Sequence, residues 1–89
     1  MALNKNLKLA RAMADLTQEE AAERVGVSRQ TMSNWENGKT SPDIVSIMNL
    51  SKIYNVAVEL LLSPSGEMVR YLKGNMGRVQ AADKDAVNL

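Results

Sequence analysis

Cysteine, histidine and phenylalanine are absent from these 89 residues. Without cysteine there is no disulfide framework and no redox indication. Without cysteine or histidine, zinc-finger ligation and histidine-based catalysis are excluded. Aromatic residues make up only 3%, namely Trp35, Tyr54 and Tyr71, so the core has to be aliphatic, Met and Ala. Neither sign of charge dominates: 11 Lys and Arg stand against 10 Asp and Glu, a formal net charge of +1. A long apolar run is also missing. The N-terminal stretch therefore predicts neither a signal peptide nor a membrane span, and a cytoplasmic location is expected. No set of carboxylates converges on a catalytic centre. The expectation is a protein that is not an enzyme and that uses no metal and no cofactor.

Apolar residues at 45% suffice for one small globular unit, near the lower size limit for a self-sufficient core. Leu3, Leu7, Ala10 and Ala14 recur at helical spacing, predicting a first helix over Leu3–Ala14. Thr17 followed by Glu20 is a capping box opening a second helix, with Ala21, Ala22 and Val25 as its buried stripe and Gly26 at its end. Ser28 caps a third helix that runs to about Asn37, where Gly38 stops it. Ser41 is expected to cap a fourth helix with Pro42 at its first position and Asp43 in its first turn. Ile44, Ile47, Leu50 and Tyr54 are its expected inner face. Val58–Leu62 is a short fifth helix, closed by Ser63-Pro64-Ser65-Gly66. No alternating strand pattern occurs, so the fold class is all-α. The expected division is a domain over 1–63 and a C-terminal extension over 64–89. Glu67–Lys73 offers two helical turns with Met68, Tyr71 and Leu72 on an apolar side, before Gly74, Asn75 and Gly77 interrupt.

The second and third helices, joined by a Gly-containing turn, have the sequence shape of a helix-turn-helix. At about 100° per residue, Arg29, Gln30, Ser33, Asn34 and Asn37 share one arc of the third helix, while Met32, Trp35 and Glu36 face the other way. The outer arc is polar throughout and carries one charge, a cation. Such side chains match base edges in the DNA major groove: Arg pairs with guanine O6 and N7, and Gln or Asn with adenine N6 and N7. Gln18 at the first position of the second helix, Ser28 at the cap of the third, and the Asn37-Gly38-Lys39-Thr40 turn supply donors suited to phosphates on either side of that arc. The acidic residues Asp15, Glu19, Glu20 and Glu23 gather at the second helix. From Arg24 to Ser33 there is none, so the local charge of the arc is neutral to positive.

The segment LTQEEAAERVGVSRQTMSNWENGKTSPDI, continued by LSKIYNVAVELLL, resembles the phage repressor and Cro-type family of helix-turn-helix proteins, also called XRE, over about Leu7–Leu62. The resemblance rests on Gln opening the second helix, Ala at its middle, Gly in the turn and W-E-N-G-K after the third helix. It implies a five-helix lambda-repressor-like DNA-binding bundle that acts as a sequence-specific transcriptional regulator. The form implied is a repressor binding double-stranded operator DNA as a homodimer on an inverted repeat. It maps Arg29, Gln30 and Asn34, with Ser33 beside them, onto base-reading positions. Gln18, Ser28, Asn37, Lys39 and Thr40 map onto phosphate-binding ones, and Arg11 and Glu36 onto an ion pair between the first and third helices. An antitoxin or a protein-interaction adaptor with the same fold is the alternative reading. Leu9, Met13 and Leu60 depart from the family's usual polar residues. Their expected role is a surface covered by the segment after Pro64 or by a second subunit.

Overall fold

The computed structural model describes residues 2–64 together with Arg70. Five helices are found among them: α1 (Ala2–Met13), α2 (Gln18–Val25), α3 (Arg29–Asn37), α4 (Ile44–Tyr54) and α5 (Val58–Leu61), with no strand among the described residues. The expected all-α bundle is what forms.

Local chemistry explains where α2 and α3 begin and end. The Thr17 side chain accepts the Glu20 N–H at 3.0 Å, and the Glu20 carboxylate accepts the Thr17 N–H at 2.9 Å. That reciprocal pair satisfies two donors an isolated helix start leaves open. It also holds the Glu20 carboxyl below its usual range, chiefly through the Thr17 N–H. Gly26 then adopts a left-handed backbone, φ 86°. A Cβ there would touch nothing within 4 Å, so the backbone conformation rather than crowding is what favours glycine. Ser28 caps α3 by accepting the Thr31 N–H at 3.1 Å. Val27 just before that cap and Met32 inside the helix occupy hydrophobic-staple positions, and both belong to the core cluster.

Leu7, Met32, Leu50 and Leu61 are the largest fully enclosed side chains, one each from α1, α3, α4 and α5. Burying each such side chain stabilises the fold by about 1.5–3 kcal/mol relative to leaving it exposed. Ala21 and Ala22 give α2 a flat inner face, which lets it lie against α3 and α4. α1 packs across α3, α4 and α5 and ties the bundle together. Asn6 sits on the buried stripe of α1 and donates its side-chain amide to the Leu61 carbonyl at 2.8 Å and the Ser63 carbonyl at 2.9 Å, anchoring the end of α5.

Three expectations need correction. α4 starts at Ile44, not near Pro42: Asp43 is the cap, and its Oδ1 accepts the Ser46 N–H at 2.8 Å. Those Ser46 contacts also lower the Asp43 carboxyl below its ordinary value. Pro42 is instead buried in the loop before the cap. Ile44 does not join the core and is 60% exposed, while Ile47, Leu50 and Tyr54 are buried. On the helix Ile44 lies about 120° from Leu50, outside the inner arc. Finally, Leu9 and Leu60 are half-buried against the core rather than forming an outer surface, so of the three apolar departures only Met13 is an exposed large hydrophobe. The predicted helical turns over 67–73 and the tail after them lie, apart from Arg70, outside the described residues.

Candidate nucleic-acid interface

The outer arc of α3 is built as its spacing predicts. Arg29, Gln30 and Asn37 are exposed, Ser33 and Asn34 half-buried, and Met32, Trp35 and Glu36 are buried beneath them. The arc is internally braced. The Gln30 amide donates to Asn34 Oδ1 at 3.1 Å, and the Asn37 amide donates to Ser33 Oγ at 3.3 Å. Each pair links neighbours one turn apart, which orders side chains that otherwise sample many rotamers. Arg29, by contrast, has no side-chain hydrogen bond or ion pair among the described residues.

Two open clefts run from the start of α2 to this arc. One, about 370 Å³, is lined by Gln18, Arg29, Gln30 and Ser33. The other, about 470 Å³, is lined by Arg11, Thr17, Gln18, Glu19 and Arg29. Gln18 and Arg29 belong to both, so the first residue of α2 and the first residue of α3 share one concave surface. Its polar groups sit at two helix N-termini, where backbone dipoles favour an anion.

At the far end of α3, Gly38 takes a left-handed backbone with φ 80°. The Lys39 N–H donates to the Asn34 carbonyl at 2.9 Å, and the Thr40 N–H donates to the same oxygen at 3.4 Å. The backbone donors of that turn are thus taken up in closing α3. What the turn presents outward is the Lys39 ammonium and the Thr40 hydroxyl, both exposed. Ser28 likewise uses its hydroxyl locally, in the cap and in a 3.0 Å contact with Thr31 Oγ1.

Beneath the arc, Arg11 Nε donates to Glu36 Oε2 at 2.7 Å and Arg11 Nη2 to Glu36 Oε1 at 3.0 Å. Arg11 Nη1 also donates to the Leu16 carbonyl at 2.8 Å, tying the α1–α2 connection into the same network. The hydrogen bond to Glu36 raises the Arg11 pKa further, against the opposing effect of burial. Such a forked, buried pair adds little net stability, but losing one partner costs about 3–5 kcal/mol. Tyr54 lies close by, with its hydroxyl directed at the Met32 sulfur at 3.9 Å. Burial, with the Glu36 charge adding to it, pushes the Tyr54 phenol up to about 12.

Sequence reasoning missed two asparagines that set this geometry. Asn4 donates to the Glu36 carbonyl at 3.3 Å and so holds the last turn of α3, while Asn6 holds the end of α5. The available signal was Asn6 on the same stripe as Leu3, Leu7 and Ala10: a polar residue on a buried stripe needs a partner. The contact between the Gln18 amide and Glu36 Oε1, at 3.0 Å, was not anticipated either.

Two capped helices set across a left-handed glycine turn, the second with a polar outer arc and an apolar inner one, define a helix-turn-helix module. The chain belongs to the XRE-type helix-turn-helix family: the family model described as Helix-turn-helix matches residues 7–61. Among curated proteins it is 42% identical over 62 residues to the HTH-type transcriptional regulator ImmR of Bacillus subtilis, covering 70% of this chain and 49% of that protein. It is 41% identical over 63 residues to the HTH-type transcriptional activator BcrR of Enterococcus faecalis, covering 71% and 31%. It is 32% identical over 75 residues to the cryptic phage CTXphi transcriptional repressor RstR of Vibrio cholerae, covering 83% and 68%. The chain thus spans about half of ImmR and less of BcrR. No solved structure gives a significant match. Among the described residues no helix is long and apolar enough to cross a membrane, and no group of three or more acidic residues is placed to hold a metal ion.

Proposed function

We propose that this chain is a sequence-specific double-stranded DNA-binding transcriptional regulator whose α3 enters the major groove. The observation that carries the reading is the outer arc of α3, polar throughout and holding Arg29 as its one charge, with Gln18 at one end and Lys39 and Thr40 at the other. Arg29, Gln30, Ser33 and Asn34 read base edges, each good bidentate pair discriminating by about 1–3 kcal/mol. Gln18, Asn37, Lys39 and Thr40 take the flanking phosphates, and Ser28 shapes the start of the reading helix. Residues 1–63 form the DNA-binding domain, and the extension from 64 onward assists dimerisation. Two copies bind an inverted repeat, and the direction of regulation proposed is repression, the activity named for RstR.

Electrophoretic binding to random-sequence duplex across a salt series tests the reading. The chain should bind at low salt and weaken steeply as salt rises, because neutralised phosphates release counterions. No duplex binding at low salt would instead favour an antitoxin or an adaptor that keeps the fold for protein contacts.

A further inference from the structure

Glu36 belongs to α3 but turns away from the reading arc, and its side chain is 1% exposed. Three donors converge on it: two from Arg11, at 2.7 and 3.0 Å, and the Gln18 amide at 3.0 Å. The forked Arg11 contact already balances the buried charge. The bond from Gln18 has a different consequence. A glutamine at the first position of a helix ordinarily samples many rotamers, and ordering it on binding costs entropy. Here one of its two amide hydrogens is fixed on a buried acceptor before any partner arrives. The second hydrogen and Gln18 Oε1 have no partner among the described residues, and the side chain lines the clefts it shares with Arg29 and Gln30.

We propose that Glu36 is a positioning residue for DNA binding: held by Arg11, its carboxylate presets the Gln18 amide so that the remaining N–H meets a phosphate as α3 docks. The inference rests on the reading of Gln18 as a phosphate contact. Because Glu36 is part of α3, the same bond sets the height of the α2 phosphate anchor against the base-reading residues. Affinity for the backbone and register over the bases are thereby coupled through one buried carboxylate.

The test replaces the pair together, Arg11→Met with Glu36→Leu. One cation and one anion leave at once, so net charge is unchanged, and buried ion pairs generally tolerate such apolar exchange. Affinity is measured on the duplex that the wild-type chain selects from a random library, alongside thermal melting. The double variant should melt cooperatively, bind about fivefold more weakly and keep the wild-type salt slope. Gln18→Ala should lose a similar factor, and the triple variant should bind no more weakly than Gln18→Ala. Wild-type affinity in the double variant, or losses that multiply in the triple variant, would overturn the proposal. Should the double variant not fold, ¹⁵N relaxation of the Gln18 side-chain amide in the unmutated chain decides. An amide as rigid as the backbone supports the proposal, and one as mobile as a freely exposed glutamine overturns it. A wild-type chain that selects no duplex overturns the DNA-binding reading itself. Multiplying losses on a selected duplex overturn only the role of Glu36.

Discussion

Helices α3 and α4 follow one another in the chain, are 9 and 11 residues long, and bury their inner faces in the same core, yet their outer faces are opposites. α3 shows water Arg29, Gln30 and Asn37, with Ser33 and Asn34 half-covered between them. α4 shows Ile44 at 60% exposure, Val45 at 62% and Met48 at 48%. The inner faces are alike because both answer to one requirement, closure of a shared core without phenylalanine, in which Trp35 and Tyr54 join the aliphatic side chains. The outer faces are free of that requirement, so their chemistry reports on use. On α3 every outward group can donate or accept a hydrogen bond, which suits a hydrated, patterned surface such as a groove of DNA. On α4 the exposed part of the first turn and a half is mainly Ile44, Val45 and Met48, with Asn49 beside them, and apolar side chains cannot read base-edge donors and acceptors.

The largest effects should fall on the shared inner surface. Met32→Ala in α3 and Leu50→Ala in α4 should each lower stability by about 2–5 kcal/mol in denaturant unfolding, since both side chains are fully enclosed. The outer face of α4 should behave differently, with Val45→Ser shifting stability by less than about 0.5 kcal/mol. A Val45→Ser loss as large as that of Leu50→Ala would place the outer face of α4 in a core and remove its contrast with the inner face.

A subtler effect distinguishes the inner faces where they meet at Tyr54 and Met32. Burial raises the Tyr54 phenol to about 12, above the value of about 10 for an unfolded chain. The folded state therefore favours the neutral phenol. That contribution is fully present below about pH 10 and is lost as pH rises through about 12. Melting temperatures of the wild type should fall relative to Tyr54→Phe across that window, and parallel curves would show that the phenol is not enclosed as described.

How much of this was legible in the sequence follows from how local each cause is. The helix-turn-helix could be read because its signals lie within a few residues of one another: Thr17 with Glu20, Gly26, Ser28, and Gly38. The contrast between Met32 and Trp35 on one side of α3 and only polar groups on the other made its faces plain. α4 is apolar on two sides, so periodicity alone could not separate Ile44 from Ile47. Pro42 before Asp43 drew the expected cap two residues too early. The contacts that position the interface were harder to read because they cross the chain. Asn4 meets Glu36 across 32 residues and Gln18 meets Glu36 across 18, and nothing in either neighbourhood announces the partner. Leu9 and Leu60 looked like surface because a family pattern, rather than the packing of α1 against α5, set the expectation.

In the proposed function α3 separates base reading from backbone holding, with Arg29 in the arc and Lys39 just beyond its end. The most direct measurement is the affinity of Arg29→Ala and Lys39→Ala on the duplex selected by the wild type and on a random duplex, at one salt concentration. Arg29→Ala should lose about 1–3 kcal/mol on the selected duplex, narrowing its preference over random sequence. Lys39→Ala should weaken both duplexes by the same factor and leave the preference intact. Equal losses on both duplexes for both variants would show that Arg29 does not read bases.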